Sequence, residues 1–378
     1  MSQVPPNPLF ELHRQAEAEF QNWENVQIVQ TFGQPQAEYA VLRKSTALMD
    51  LPQRGILELT GKDRLTFLNN LLTNQTYDKT QKKGLSVGQG VYAFLLDPKT
   101  GRIIADMNVI ERESSTLLEM DVRVVDLVAK VLENYHFAEQ VAIASRVGQL
   151  HEMALHGPGA MELVRDELRV SGIESLKPQE SVNSGDLIVW RDDPCGVPGY
   201  YIVQTPEAAK ARWVDLLARL GPKPDFAKST IRPIGWAAFN SARIEAGRAL
   251  FGIDFDHTAL PAETSQLGRA VSFTKGCYPG QEIVARMHAR GQVAKRIAGI
   301  RMDDPVLPIA GAEIFDSQSS QIGAITSSTI SPILSGIAVG LGILKRPHFE
   351  VGTKLQIPAE GALHGATVVE LPFLGAKQ

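Results

Sequence analysis

Cys277 stands in the run Lys275-Gly276-Cys277-Tyr278-Pro279-Gly280-Gln281-Glu282, two residues after a lysine and just ahead of a segment with helical spacing. Pro279-Gly280 is turn chemistry, because proline pre-sets φ at the second turn position and glycine supplies positive φ at the third. Beyond the turn, Ile283, Val284 and Met287 form an apolar stripe, while Glu282, Arg286 and Arg290 fall four apart on another face. That pattern predicts a short helix over Gln281–Arg290. A thiol ahead of a helix N-terminus and near a cation is favoured as thiolate, the form that attacks electrophiles and ligates metals. The competing reading is a small buried hydrophobe, the commoner fate of a lone cysteine.

A second group with chemistry is Asp106. Val91–Leu96 and Arg102–Ile110 read as two strands around the turn Asp97-Pro98-Lys99-Thr100-Gly101. Alternation sends Ile103, Ala105, Met107 and Val109 one way, and Arg102, Ile104, Asp106, Asn108 and Ile110 the other. The first set suits a core. The second, mixed set suits either solvent or a ligand cavity. A third group is Asn240, Arg243 and Glu245, in a helical pattern from Ile234 closed by Gly247. A carboxylate such as Glu245 accepts two parallel N–H bonds well; the alternative is a surface ion-pair network with Arg243.

The rest of the chain supplies the frame. Phe10–Trp23 reads as one helical piece in a polar approach segment, and Gly55–Thr60 as a strand before a helix opened by Gly61-Lys62-Asp63. Leu117–Val122 and Val124–Phe137 form a strand and a helix. Short strands follow at Val141–Ala144 and Met153–Leu155, then a helix over Met161–Leu168. Asp186–Trp190 and Tyr200–Gln204 pair around a loop that buries an inert Cys195. Pro206–Leu220 is an amphipathic helix with Trp213, Leu216, Leu217 and Leu220 inward. From Val293 onward short strands with glycine punctuation read as a small barrel or sandwich.

With 378 residues, 44% hydrophobic and 21% charged, the chain has the makings of a soluble globular protein of two or three domains. A net charge of −4 implies no broad basic field for nucleic acid. Two cysteines make no disulfide framework and cannot alone supply four thiolates to a cluster. The longest apolar run, Ile333–Leu344, is too short to span a bilayer, and no signal pattern opens the chain, so a cytoplasmic protein without membrane partner is expected. The eight histidines are scattered without an i,i+4 pair, and no metal site is expected. No nucleotide-binding glycine motif or nucleophile elbow occurs.

The run K-G-C-Y-x-G-Q-E-x-V-A-R, followed by Arg290-Gly291, resembles the signature of the YgfZ family: folate-binding proteins that support iron–sulfur cluster assembly or repair, related to the glycine-cleavage T-protein, an aminomethyltransferase. Lys275, Gly276, Cys277, Tyr278, Gly280, Gln281, Glu282, Val284, Ala285 and Arg286 match as they stand. R-I-E-A-G at Arg243–Gly247 and L-F-G-x-D-F at Leu250–Phe255 resemble the folate-facing segment of both families, and S-P-x-L-x-x-x-I-A at Ser331–Ala338 resembles the T-protein's C-terminal domain. The likeness covers roughly residues 38–373. Two places depart from the T-protein. Its return strand carries two consecutive acids, one of them catalytic, where this chain has Ala105 and Asp106. Its G-E-x-G-x-E loop has acids where this chain has Val197 and Tyr201.

The resemblance implies an α+β fold: a three-domain T-protein-like ring around a central channel, with two interleaved α+β units and a C-terminal β-barrel. The division expected is an approach segment 1–40, a first α+β domain 41–145, a second 146–290 carrying the motif, and a barrel domain 291–378. It further implies tetrahydrofolate or a derivative in the channel. Asp106, Asn240, Arg243, Glu245, Tyr278 and Arg286 would meet the folate, and Cys277, Lys275 and Asp106 would act chemically. The expected partners are the folate and iron–sulfur assembly or client proteins, with the chain a monomer. If the protein is an enzyme, it is a tetrahydrofolate-dependent aminomethyl or other one-carbon transferase.

Overall fold

The computed structural model of the chain describes residues 5–218, 231–291 and 293–374. Strands form where β-branched and apolar residues alternate or run together, and they gather into two larger sheets, two two-stranded ribbons and a closed barrel. The first sheet has five strands in the order Ala142–Ser145, Arg54–Thr60, Ser115–Asp121, Ile103–Glu111, Gly90–Leu96. The second has six, in the order Ser181–Ser184, Leu187–Arg191, Gly199–Gln204, His151–His156, Thr46–Asp50, Ile231–Pro233, the last pair running parallel. Leu187–Arg191 pairs antiparallel with Gly199–Gln204 around the Cys195 loop, as the sequence pattern implies.

The helix expected over Phe10–Trp23 is shorter. It runs Phe10–Gln15, and Glu19–Trp23 is instead a strand paired with Val26–Thr31. Glu17 takes φ +55°, a left-handed turn that ends the helix, and the strand after it is set by pairing with Val26–Thr31 rather than by any alternation of its own. The helix Pro206–Ala218 buries Trp213 and Leu216 as its stripe requires; Leu220 lies outside the described residues. Under these elements lies a core that includes Leu48, Leu155, Val164, Val189, Ile202 and Trp213.

The C-terminal strands close on themselves in the order Lys295–Met302, Ile337–Lys345, Gln321–Ser331, Glu313–Phe315, Lys354–Ala359, Ala362–Val369. Full closure removes every open edge. Ile300, Ile314, Leu344, Leu355 and Val368 fill its interior.

The chain divides into two compact units. One runs to Ala93 and resumes over Met107–Asp193 and Val197–Phe239. The other joins Phe94–Asp106, Pro194–Gly196 and the chain from Asn240 onward. Every residue singled out for chemistry in the sequence falls in the second unit. The boundaries at 40, 145 and 290 stand beside this partition as a proposal from sequence.

Candidate functional site

The motif turn has the geometry its residues dictate. Gly280 sits at φ +80° and ψ −3°, the third position of a type II turn, and the Gln281 N–H donates to the Tyr278 carbonyl at 3.2 Å. The helix Gln281–Arg290 follows at once, with Gly280 as its N-cap and Gly291, left-handed at φ +58°, as its C-cap. This matches the predicted span at both ends.

What fixes the turn in place is the Asp97–Gly101 hairpin turn. Asp97 ties that turn by accepting from the Lys99 and Thr100 amides and the Thr100 hydroxyl, bonds that also hold its carboxyl below the usual carboxylate range. Gly280 lies so close that a Cβ there would stand 3.2 Å from both the Asp97 carbonyl oxygen and the Gly101 Cα. Ile283 packs on Gly101 from the next turn of the helix. The strand that carries Asp106 leaves this same hairpin turn, and the Ile103 N–H anchors it by donating to the Ala259 carbonyl at 3.0 Å.

Within the motif, exposure is divided sharply. Cys277 is exposed, whereas Lys275 and Tyr278 are 7% and 6% exposed. The Lys275 ammonium lies over the Tyr278 ring, 4.8 Å from its centroid. Its charge is therefore turned toward an aromatic face as well as enriching the motif in cation. Burial pushes the Tyr278 phenol up to about 12, so it stays protonated. Arg286 is on the exposed side of the helix, six residues past its N-cap.

Asp106 lies on Ile103–Glu111 at 9% exposure, with Asn108 at 7% and Ile110 at 2% on the same face. Ile103, Ala105, Met107 and Val109 on the other face are at most 1% exposed. Arg102 and Ile104, at the start of the mixed face, are exposed and half-buried, but from Asp106 onward both faces are covered, so Asp106 itself is not on a solvated face.

Asn240, Arg243 and Glu245 all sit on the helix Trp236–Glu245. Arg243 is wholly buried and paired with Asp254. It also donates to Asn240 Oδ1 at 2.8 Å and to the Arg248 carbonyl at 3.2 Å. Burial draws its guanidinium below the ordinary arginine value, against the pull of Asp254. Asp254 in turn accepts from the Leu250 amide at 2.9 Å, Thr326 Oγ1 at 2.7 Å and Ser327 Oγ at 2.6 Å. Glu245, also wholly buried, accepts from the Ser331 hydroxyl. The surface ion-pair network considered for Arg243 and Glu245 is therefore not what forms. Both are tied to barrel strand Gln321–Ser331, Arg243 through Asp254 and Glu245 directly. One atom of this group is left over: Arg243 Nη2 is buried with no hydrogen-bond partner among the described residues.

Sequence reasoning missed two histidine environments. His13 and His151, 138 residues apart in the chain, both donate to Asp50, at 2.8 and 2.7 Å. His156 is buried against Tyr201 and Phe239. Their spacing carried no signal, because each partner is brought in by sheet pairing. Asp254 did have one, as the acid of L-F-G-x-D-F. Cys195 is buried in its loop as expected. Among the described residues no group of three or more His, Cys, Asp or Glu is arranged to hold a metal, and no helix is long and apolar enough to cross a membrane.

Comparison with known proteins gives this geometry its context. The GCVT N-terminal domain family matches residues 9–275, and the glycine cleavage T-protein C-terminal barrel domain matches 295–374. An aminomethyltransferase of Chloroherpeton thalassium is 26% identical over 373 residues, covering 97% of this chain and 98% of that protein. One of Bacillus subtilis is likewise 26% identical over 376 residues, with 97% and 98% covered. The crystal structure of the glycine cleavage system aminomethyltransferase T from Bartonella henselae superposes with a TM-score of 0.86 over 98% of both chains at 22% identity, a likeness of fold. The α+β sheets, the six-stranded barrel and these two matches along the chain agree: the protein belongs to the glycine-cleavage T-protein family.

Proposed function

We propose that this T-protein-family chain binds tetrahydrofolate or a derivative, and that its working group is the Cys277 thiol in a YgfZ-type role supporting iron–sulfur cluster assembly or repair. The observation that carries this reading is the exposure of Cys277 between the buried Lys275 and Tyr278, on a turn braced by the hairpin from which Asp106 rises. A structural cysteine would be expected inside, as Cys195 is. A pterin edge combines amine donors with carbonyl and ring-nitrogen acceptors. Asp106 supplies a carboxylate and Arg243 an unspent N–H, so the residues suit that edge in kind. Bound folate supplies the carrier for a one-carbon unit. A single exposed thiol cannot hold a cluster, so its role would be transient ligation within a complex with assembly or client proteins. The test is Cys277→Ala in the host with assays of cluster-dependent enzymes; undiminished activity sinks the reading. Calorimetry with tetrahydrofolate runs beside it, and absence of binding removes the folate half.

The second reading is folate-dependent aminomethyl transfer. Its support is that the similar proteins of Chloroherpeton thalassium and Bacillus subtilis are aminomethyltransferases, and that Asp106 keeps one of the two acids of the T-protein return strand. The replacements Ala105, Val197 and Tyr201 and the exposed Cys277 favour the first. The second predicts methylene-tetrahydrofolate formed from an amine donor and lost in Asp106→Asn. Protein that binds folate without such transfer excludes it.

A further inference from the structure

Beside the motif helix, and wholly within the second unit, lies a cavity of about 620 Å³. That is inside the range of small-molecule sites, about 300–1,000 Å³. Its walls come from the far end of the motif helix at Met287 and His288, the start of the barrel over Arg296–Gly299, Phe349 and Val351, and the end of the last barrel strand at Val369 with Glu370 and Leu371 after it. The lining is mainly apolar. Val351 is 67% exposed at it, an unusual exposure for a large aliphatic side chain beside a concavity.

Arg296 stands out in this wall. It is half-buried, and its guanidinium lies over the Phe349 ring, 4.5 Å from the centroid. Among the described residues no carboxylate pairs with it, whereas the adjacent Lys295 reaches Glu263 at 3.9 Å. Stacking on an aromatic face holds a guanidinium plane in one orientation and leaves its edge N–H groups available for a planar anion. His288 is held too, stacked on Phe273 with ring centroids 3.9 Å apart. The one acid of the lining, Glu370, is exposed. It opposes a doubly charged phosphate more than a single carboxylate.

We propose that this cavity, which neither Asp106 nor Arg243 nor Glu245 lines, is a second ligand site distinct from a folate site at those residues, and that it takes a monocarboxylate with an apolar body: the carboxylate on Arg296, the body along Met287, Val351 and Leu371. The proposal stands on Arg296, Phe349 and the cavity, and it holds whichever reading of Cys277 and Asp106 survives.

The probe is 4-phenylbutyrate, titrated into the full-length protein and followed by the Met287 methyl resonance, with neutral 4-phenylbutan-1-ol as its counterpart. Saturable binding of the acid is expected, at least tenfold tighter than the alcohol. Arg296→Gln should weaken the acid at least tenfold and leave the alcohol within twofold. Should that variant fail to fold, Arg296→Lys keeps the charge but loses the planar fork, and a several-fold weakening of the acid alone is expected. Saturating tetrahydrofolate should leave the acid's affinity unchanged. No saturable binding, equal binding of acid and alcohol, indifference to Arg296, or displacement by tetrahydrofolate would each overturn the proposal.

Discussion

Gly280 of the motif turn and Asp97 of the neighbouring hairpin turn are packed so that a Cβ on the glycine would stand 3.2 Å from the aspartate's carbonyl oxygen, at a φ of +80°. The site is thus set by two demands on one residue, a left-handed backbone and close approach. Gly291 at the other end of the same helix carries only the first, with φ +58° and nothing within 4 Å of a Cβ. Alanine at a left-handed position costs about 1–2 kcal/mol. Gly291→Ala should lose that much by chemical denaturation, and Gly280→Ala should lose more and alter the alkylation rate of Cys277. Equal losses and an unchanged rate would show that the Asp97 packing contributes nothing.

The two thiols differ in access, and this is checked by mass. Cys277 is exposed and Cys195 is 0% exposed. Iodoacetamide on the native protein should give one adduct, at Cys277, and on denatured protein two. An adduct on native Cys195 would mean that its loop opens readily.

Arg243 and Asp254 form a wholly buried pair. Removing one member leaves the other as an uncompensated buried charge, which costs about 3–5 kcal/mol. Arg243→Gln should therefore destabilise strongly in urea. Arg243→Gln with Asp254→Asn should cost clearly less than the sum of the singles, since the stranded charge is gone. Additive losses would place the cost in packing instead.

How much of this was legible in the sequence depends on range. The motif helix appears to the residue because its turn, stripe and caps lie within a dozen positions. The barrel strands appear because alternation is local, although their closure is not. The Asp106 strand was legible as a strand, but the covering of both its faces comes from elsewhere in the chain. Glu245 reads from sequence as a ligand for amines, and the structure spends one of its oxygens on Ser331, 86 residues on. Pairings of that range leave no periodic trace.

Asp50 is the clearest product of such pairing. Its two oxygens accept from His13, His151 and Asn7 at 2.7–2.8 Å, which docks the N-terminal helix on the sheet. Burial opposes the charge, but the two histidines prevail and hold the carboxyl far below its ordinary 3.8. A depressed carboxylate contributes stability that is complete above the unfolded value and is lost as pH falls from there toward the folded one. Asp50→Asn should cost about 2–4 kcal/mol at pH 7. It should also flatten the stability curve below pH 4, where the native chain weakens.

His156 acts in a different window, which separates the two. It is 0% exposed, and neither ring nitrogen has a hydrogen-bond partner among the described residues. Burial lowers it from 6.5 to about 4, with Asp192 pulling weakly the other way. The imidazole is therefore neutral in the fold and protonated first in the unfolded chain. Stability from this group is whole above pH 6.5 and falls as pH drops toward 4, by roughly 3 kcal/mol at about 1.4 kcal/mol per unit. His156→Leu should remove that slope between pH 6.5 and 4 and leave the Asp50 limb below it. Because a buried polar group without partners costs about 1–3 kcal/mol, the same variant should gain stability at pH 7. Urea denaturation across pH 3–8 checks both, and a slope that persists in the variant would mean that another group carries it.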